Sequence, residues 1–324
     1  MNKRKALAAL ALSLVGASVQ AQSGTPYPNK PIKLVVGFAP GGAADHVARS
    51  MSDAFGRALG TSVVVENRAG AGSSIAAEIV AKAPADGYTV LIASPSSISV
   101  NPALNPKLGY SAKDLAPVTK ITSSPLVIAA NPNIGINTLQ DLISKAKKEP
   151  GRINYATSGN GSAPHLGGAL FTQLANVELT HIPFRGGGPA IQSLIAGDTQ
   201  VTFGTPPSVL PMIQAGRLKG LAVSTTERTA LVPGVPGMRE AGLPEYNIEF
   251  WYGIFVPAAT PAPVVKKIYE AAQWAMGQAN VKASLAREGT DVGLSKSPEQ
   301  FSAFLQEDAK FWVKLVKSAG VKLD

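Results

Sequence analysis

Lys33-Leu-Val-Val-Gly-Phe-Ala-Pro-Gly-Gly-Ala-Ala-Asp45 is the stretch on which the fold turns: an apolar β-type run breaks into a glycine loop and then a helix. Val47, Met51, Ala54, Phe55, Ala58 and Leu59 continue it at 3.6-residue periodicity, so the spacing predicts a helix ending at Gly60. Gly41 and Gly42 put no side chain between strand and helix, which lets an anion approach the free amide groups of the first turn. Such a loop is a socket for a carboxylate or a phosphate.

The pattern recurs twice. Ile153 to Thr157 runs into Ser158-Gly-Asn-Gly-Ser162 and a helix opening with Pro164 and His165; Leu179 to Phe184 runs into Arg185-Gly-Gly-Gly188 and a helix carrying Ile191, Leu194 and Ile195. In an open α/β sheet these loops gather at the carboxyl ends of the strands, where ligands bind. Three of them point to one shared site.

Around these loops, strand and helix signals alternate from Ile32 to Leu126: strands at Ile32 to Phe38, Ser62 to Glu66 and Thr89 to Ala93, with a helix near Ile75 to Lys82. This predicts an α/β fold. A first crossing to a second unit is placed past Ser123-Ser-Pro125, where Leu126 to Ala130 reads as a new strand. That unit carries a helix at Thr138 to Lys148, strands at Val201 to Phe203 and Leu221 to Ser224, and a helix near Val209 to Ala215. Pro233 to Pro244, rich in Pro and Gly, suits a crossing back, and Phe250 to Val256 reads as a buried strand. Two amphipathic helices, one from Val264 to Met276 and one from Phe301 to Leu315, complete a clam-shell plan.

The chain has 324 residues, 45% of them hydrophobic, enough for one large core or two ordinary ones. Met1 to Lys5 is cationic, Ala6 to Val19 is apolar, and Val19-Gln-Ala21 offers small residues for cleavage, so residues 1–21 read as a secretory signal peptide. The apolar run is shorter than the roughly 20 residues of a bilayer span. With no cysteine there is neither a disulfide nor a lipoprotein anchor, and a freely diffusing, monomeric periplasmic protein is expected. The formal charge of +9 includes Lys3, Arg4 and Lys5; the other basic residues are scattered, which argues against nucleic acid.

Chemistry is thin. No Gly-x-Ser-x-Gly elbow, no phosphate-binding P-loop and no complete dinucleotide fingerprint is present, and the three histidines, His46, His165 and His181, lack ligand spacing, so neither metal nor cofactor is expected. His165 either contacts a ligand or caps the Gly159-Asn-Gly161 loop, and Asp45 caps its helix or latches the Gly41 loop. Arg185 offers a fork for a carboxylate, or sits on the rim in a salt bridge. Ser94 is a candidate donor or an ordinary turn residue, as are Ser73 and Ser74 at the mouth of the next loop. Phe38, Phe184 and Phe203 either wall the cleft or fill the core. A secreted hydrolase using Ser162 with His165 is the enzymatic alternative.

Taken together, Phe38-Ala-Pro-Gly-Gly-Ala-Ala-Asp45, Val65-Glu-Asn-Arg-Ala-Gly-Ala-Gly72, Ala83-Pro-Ala-Asp-Gly-Tyr-Thr89, Thr157 to His165, His181 to Ala190, Pro233-Gly-Val-Pro236 and Trp251 to Ala258 follow one another in an order that resembles the Bug-type solute receptors of tripartite tricarboxylate transporters. The resemblance implies a two-lobed periplasmic binding fold of type II, each lobe a mixed sheet flanked by helices, joined by a double-crossing hinge. It places lobe 1 at residues 26–124 and 250–324 and lobe 2 at 125–249. It implies a receptor, not an enzyme, that captures a small organic carboxylate for a membrane permease, or that reports it to a signalling partner. Carried onto this chain, the ligand-binding residues are Phe38, Gly41, Gly42, Asp45, Thr157, Gly159, Gly161, His165, Phe184, Gly186 and Gly187; Ala39, Ser94, Arg185 and Phe203 are expected beside them from the reading of the residues themselves. Ser73-Ser74, Ala44 and Gln200 depart from the family pattern, and Gln200 in place of an acidic residue argues against an amino acid as cargo.

Overall fold

The structure, a computed structural model, describes residues 27–320; the expected signal peptide lies outside them. Strand β1 (Ile32–Val36) is buried at four of its five positions, which is why it reads as a continuous apolar run. It stops two residues earlier than expected, because the Val36 carbonyl accepts from Arg68 N and the chain bends into the glycine loop. Helix α1 (Ala43–Leu59) buries the expected stripe and closes on Gly60 in the left-handed conformation. Strand β2 (Val63–Asn67), helix α2 (Ser74–Ala81) and strand β3 (Thr89–Ala93) follow in the expected alternation.

The next stretch corrects the sequence reading. Between Ala93 and Leu115, where the sequence offers no periodic apolar pattern, the chain makes a buried helical turn at Ser96–Val100 and a short helix α3 (Asn101–Leu104). Then comes β4 (Leu115–Pro125), an eleven-residue strand that the sequence reading missed. Its Thr119, Lys120, Thr122, Ser123 and Ser124 give no apolar alternation; the strand forms because β10 (Glu249–Pro257) and β11 (Asp291–Val292) pair with it on both sides.

The first sheet has the order β11-β4-β10-β3-β1-β2, parallel among β1, β2 and β3 and antiparallel at β10, β4 and β11. The second sheet holds β5 (Val127–Ala130), β6 (Asn154–Thr157), β7 (Thr180–Pro183), β8 (Val201–Gly204) and β9 (Lys219–Val223) in the order β7-β6-β8-β5-β9. Its helices are α4 (Leu139–Lys148), whose Thr138 and Asp141 make a capping box, α5 (Ala163–Ala175), α6 (Gly187–Ala196), α7 (Pro206–Gln214) and the short α8 (Met238–Ala241). Each sheet with its helices forms one lobe.

The chain crosses between sheets at Leu126 and again between β9 and β10. Ser224 laces the two crossings together: its hydroxyl donates to the Ile248 carbonyl at 2.5 Å and accepts from Leu126 N at 2.8 Å, fully buried. The C-terminal region contains three main helices where two were expected: α9 (Ala262–Gly277), α10 (Ala279–Arg287) and α11 (Pro298–Ser318). In α11, Phe301, Trp312 and Leu315 are buried, whereas Phe304 and Phe311 stay exposed, which narrows the expected stripe. Near its end, Ser318 donates to Gln173 of α5 at 3.1 Å, so a helix packed on the first lobe also touches the second.

Candidate functional site

Four helices point their amino ends into one narrow chamber between the lobes. Gly42, Ala43 and Ala44 come from α1, Ala163 and Pro164 from α5, Gly187 from α6, and Thr205 and Ser208 from the start of α7. At none of these four ends does a side chain cap the first turn. In α1, α5 and α6 the uncapped first turn directs free N–H groups and the positive end of the helix dipole at whatever fills the space, whereas α7 opens with Pro206 and Pro207 and bonds its Ser208 N–H to the Thr205 carbonyl, so it offers the hydroxyls of Thr205 and Ser208 instead. Thr157, Ser158 and Thr202 complete the wall on the second lobe, and Phe38, Phe250 and Tyr252 supply apolar surface. The water-accessible volume is about 30 Å³.

A wider outer chamber of about 470 Å³ lies beyond Phe38 and Ser158, which wall both spaces. Ala39, Gly70 to Ser73, Gly159, Asn160, Phe184, Arg185 and Gly186 surround it. The lobes meet here backbone to backbone. A Cβ added to Gly72 would lie 2.3 Å from the Asn160 carbonyl oxygen, and one added to Gly186 would lie 2.8 Å from the Ala39 Cβ. Arg185 is exposed on this rim, and no salt bridge joins it to an acid among the described residues.

The two principal loops are held by the same device in two chemistries. Asp45 is the third residue of α1, and its carboxylate accepts from Gly41 N, four residues back, at 3.0 Å. His165 is the third residue of α5, and its Nδ1 accepts from Gly161 N, four residues back, at 3.0 Å. Gly41 at φ 79° and Gly161 at φ 71° both use the left-handed region, which explains the glycine at each position. Asp45 also accepts from Arg49 Nε at 2.9 Å and Asn67 Nδ2 at 3.0 Å. Burial alone would raise its pKa, but these hydrogen bonds and the guanidinium charge outweigh it and hold the carboxyl below its usual range. His165 stacks on His181 with ring centroids 3.8 Å apart; burial, then the charge of His181, push its pKa down to about 3. His181 in turn bonds Thr157 Oγ1 at 2.7 Å.

Several expected contacts are therefore placed elsewhere. Gly41, Asp45, Gly161 and His165 line neither chamber; they fix the loops from behind. Phe203 is fully buried against Tyr155, Phe171 and Tyr246 and belongs to the core. Ser94 is fully buried and lines neither chamber. Ser162 donates its hydroxyl to the Gly159 carbonyl at 2.6 Å, so it and His165 both face main chain, not each other. Phe38, Ala39, Gly42, Thr157, Gly159, Phe184, Arg185, Gly186 and Gly187 do wall the two spaces.

Sequence reasoning missed Ser158, Thr202, Thr205, Ser208, Phe250 and Tyr252. A signal for some existed. Thr205-Pro-Pro207 follows a strand and opens a helix with proline in its first turn, the same grammar as the other loops, and Phe250 and Tyr252 alternate along β10.

Two α/β lobes joined by paired crossings, with uncapped helix starts from both lobes facing one cleft, define a solute-binding receptor of the periplasmic type. The chain belongs to the tripartite tricarboxylate transporter receptor family: the model of that family, TctC, matches residues 47–321. It is 34% identical to Protein BugT of Bordetella pertussis over the whole length of both chains. Among solved structures it is similar to R. palustris Rpa4515 with adipate, at 31% identity and a TM-score of 0.87 over 91% of this chain and 99% of that one. It is also similar to MatC from Rhodopseudomonas palustris with bound malate, at 32% identity and a TM-score of 0.85 over 90% of this chain and all of that one. No helix among the described residues is long and apolar enough to cross a membrane.

Proposed function

We propose that this receptor captures a small organic carboxylate, mono- or dicarboxylic and aliphatic or aromatic, in the periplasm and delivers it to a tripartite-type membrane permease. The observation that carries the reading is the convergence of three uncapped, amide-bearing helix starts, those of α1, α5 and α6, on the inner chamber. A hydrogen bond from an amide to a carboxylate contributes about 1.5–3 kcal/mol. Three or four of them in a dry cleft, less the costs of association, give affinity on the order of micromolar. The adipate and malate in two similar solved structures agree with this chemistry.

In this reading Phe38, Gly42, Thr157, Gly159, Phe184, Arg185, Gly186 and Gly187 touch the ligand, and Gly41, Asp45, Gly161 and His165 hold the loops. Lobe 1 comprises residues 26–124 and 250–324, lobe 2 residues 125–249, and the mature protein is a monomer released after Ala21. No bond is made or broken, since Ser162 is engaged by the Gly159 carbonyl and His165 by the Gly161 amide. A preference of the ligand for the closed cleft is all that drives closure. A thermal-shift screen over aliphatic and aromatic acids, amines and sugars tests the proposal: acids should raise the melting temperature. Stabilisation by amines or sugars with none by acids would overturn it.

A further inference from the structure

The floor of the outer chamber carries chemistry that the anion site does not use. Ser73 lines that chamber, is 1% exposed, and has no hydrogen-bond partner for its hydroxyl among the described residues. It stands at φ 75°, in the left-handed region where a residue with a Cβ is strained, and it does not cap the helix it precedes. The oxygen sits over Gly37, the adjoining wall: a Cβ built on Gly37 would lie 1.8 Å from it.

Behind Ser73, the turn at Ser96–Val100 packs against the turn at Ala71–Ser73. Ser94, Ser96, Ser97 and Ser99 are all buried there with unpartnered hydroxyls. Asn101 spends its amide on the carbonyls of Ala71 and Gly72, both at 3.0 Å, and on Ser74 Oγ at 2.7 Å, which leaves its Oδ1 unpartnered too. Buried polar groups are nearly always paired, because each unpaired one forfeits its bonds to water. Of the five serines, Ser73 lines the chamber and the other four lie buried behind it, so the wall at Ser73 is backed by polar, uncharged groups.

We infer that this patch is a neutral polar subsite for an oxygen-bearing substituent, a hydroxyl or a keto group, on the far end of the ligand, with Ser73 as its leading contact. The inference rests on the carboxylate reading: the carboxylate enters the inner chamber, and the tail passes Phe38 and Ser158 into the outer one. A plain alkyl tail leaves the Ser73 hydroxyl desolvated and unpaired, whereas an oxygenated tail pairs with it. A site built around hydrogen-bonding groups rejects the analogue that lacks them.

Calorimetric titration of matched acids tests this on the wild type, Ser73→Gly and Ser73→Ala. Suitable pairs are butanoate with 3-hydroxybutanoate, pentanoate with 4-oxopentanoate, hexanoate with 6-hydroxyhexanoate, and succinate with malate. Ser73→Gly relaxes the backbone, and Ser73→Ala keeps its strain while removing the oxygen. The wild type should favour the oxygenated member of at least one pair about tenfold, about 1.4 kcal/mol. In both variants that ratio should fall to about one, with the plain acid bound as before. Equal affinities within every pair, or a ratio that survives in both variants, would overturn the subsite and leave the carboxylate reading standing. Failure of every acid to bind the wild type would overturn both.

Discussion

The Gly41 and Gly161 loops solve one problem in two ways. Each must present bare backbone to an anion without collapsing onto it, and each is tied back by the third residue of the helix it opens. On the first lobe the tie is a carboxylate braced by Arg49 and Asn67; on the second it is the neutral imidazole of His165, stacked on the His181 ring. The carboxylate tie is the stronger, since hydrogen bonds to ionised groups exceed those between neutral ones. The imidazole tie brings no negative charge near the bound anion. The two lobes thus share loop geometry but respond separately to acid.

The largest test removes the first tie. Asp45→Leu leaves Gly41 N, Asn67 and Arg49 without their acceptor, and carboxylate affinity measured by calorimetry should fall at least about a hundredfold, as expected when a charged network of about 3 kcal/mol or more is broken. If the affinity holds, the first loop is positioned by something else. His165→Leu should cost about tenfold, the scale of one neutral hydrogen bond, while His165→Asn, whose Oδ1 can accept from Gly161 N, should recover most of it. Equal damage from both substitutions would show that the ring's packing, not its acceptor, holds the loop.

Acid sharpens the contrast. Unfolded, His165 takes up a proton near the ordinary value of 6.5, whereas in the fold it resists to about 3. The unfolded chain therefore binds more protons in that window, and stability falls as pH drops through it, by up to about 1.4 kcal/mol per pH unit for one proton. Asp45, held below the usual carboxylate range, keeps its full contribution above that range and loses it only as pH falls through its own lowered value. Denaturant titrations from pH 7 to pH 4.5 should thus show a slope that His165→Asn flattens and Asp45→Asn does not. The smallest effect belongs to Arg185, exposed on the rim: Arg185→Gln should weaken binding less than tenfold, and the difference should shrink as salt is raised.

The glycine loops were legible because their signal is local: an apolar run, glycines, then a periodic helix. Latch and ligand contact were harder to separate. Asp45 and His165 sit beside the chambers in sequence, and only the direction of their hydrogen bonds shows that they face backward. The polar β4 strand could not be read from Thr119, Thr122 and Ser124, since its pairing partner β10 begins more than a hundred residues later. Phe203 is a third case: a strand-end aromatic whose side falls inward, because the alternation of β8 turns Thr202 to the chamber.

Sheet topology also sets an order of assembly. All five strands of the second sheet lie between Val127 and Val223, whereas the first sheet needs β10 and β11, from Glu249 onward, to complete its middle and one edge. Closing long chain segments is entropically slow, so the contiguous sheet is the one able to condense first. Hydrogens on the amides of Ile128 and Ala156 should then gain protection during refolding before those of Thr119 and Ile254, which wait for the chain to return.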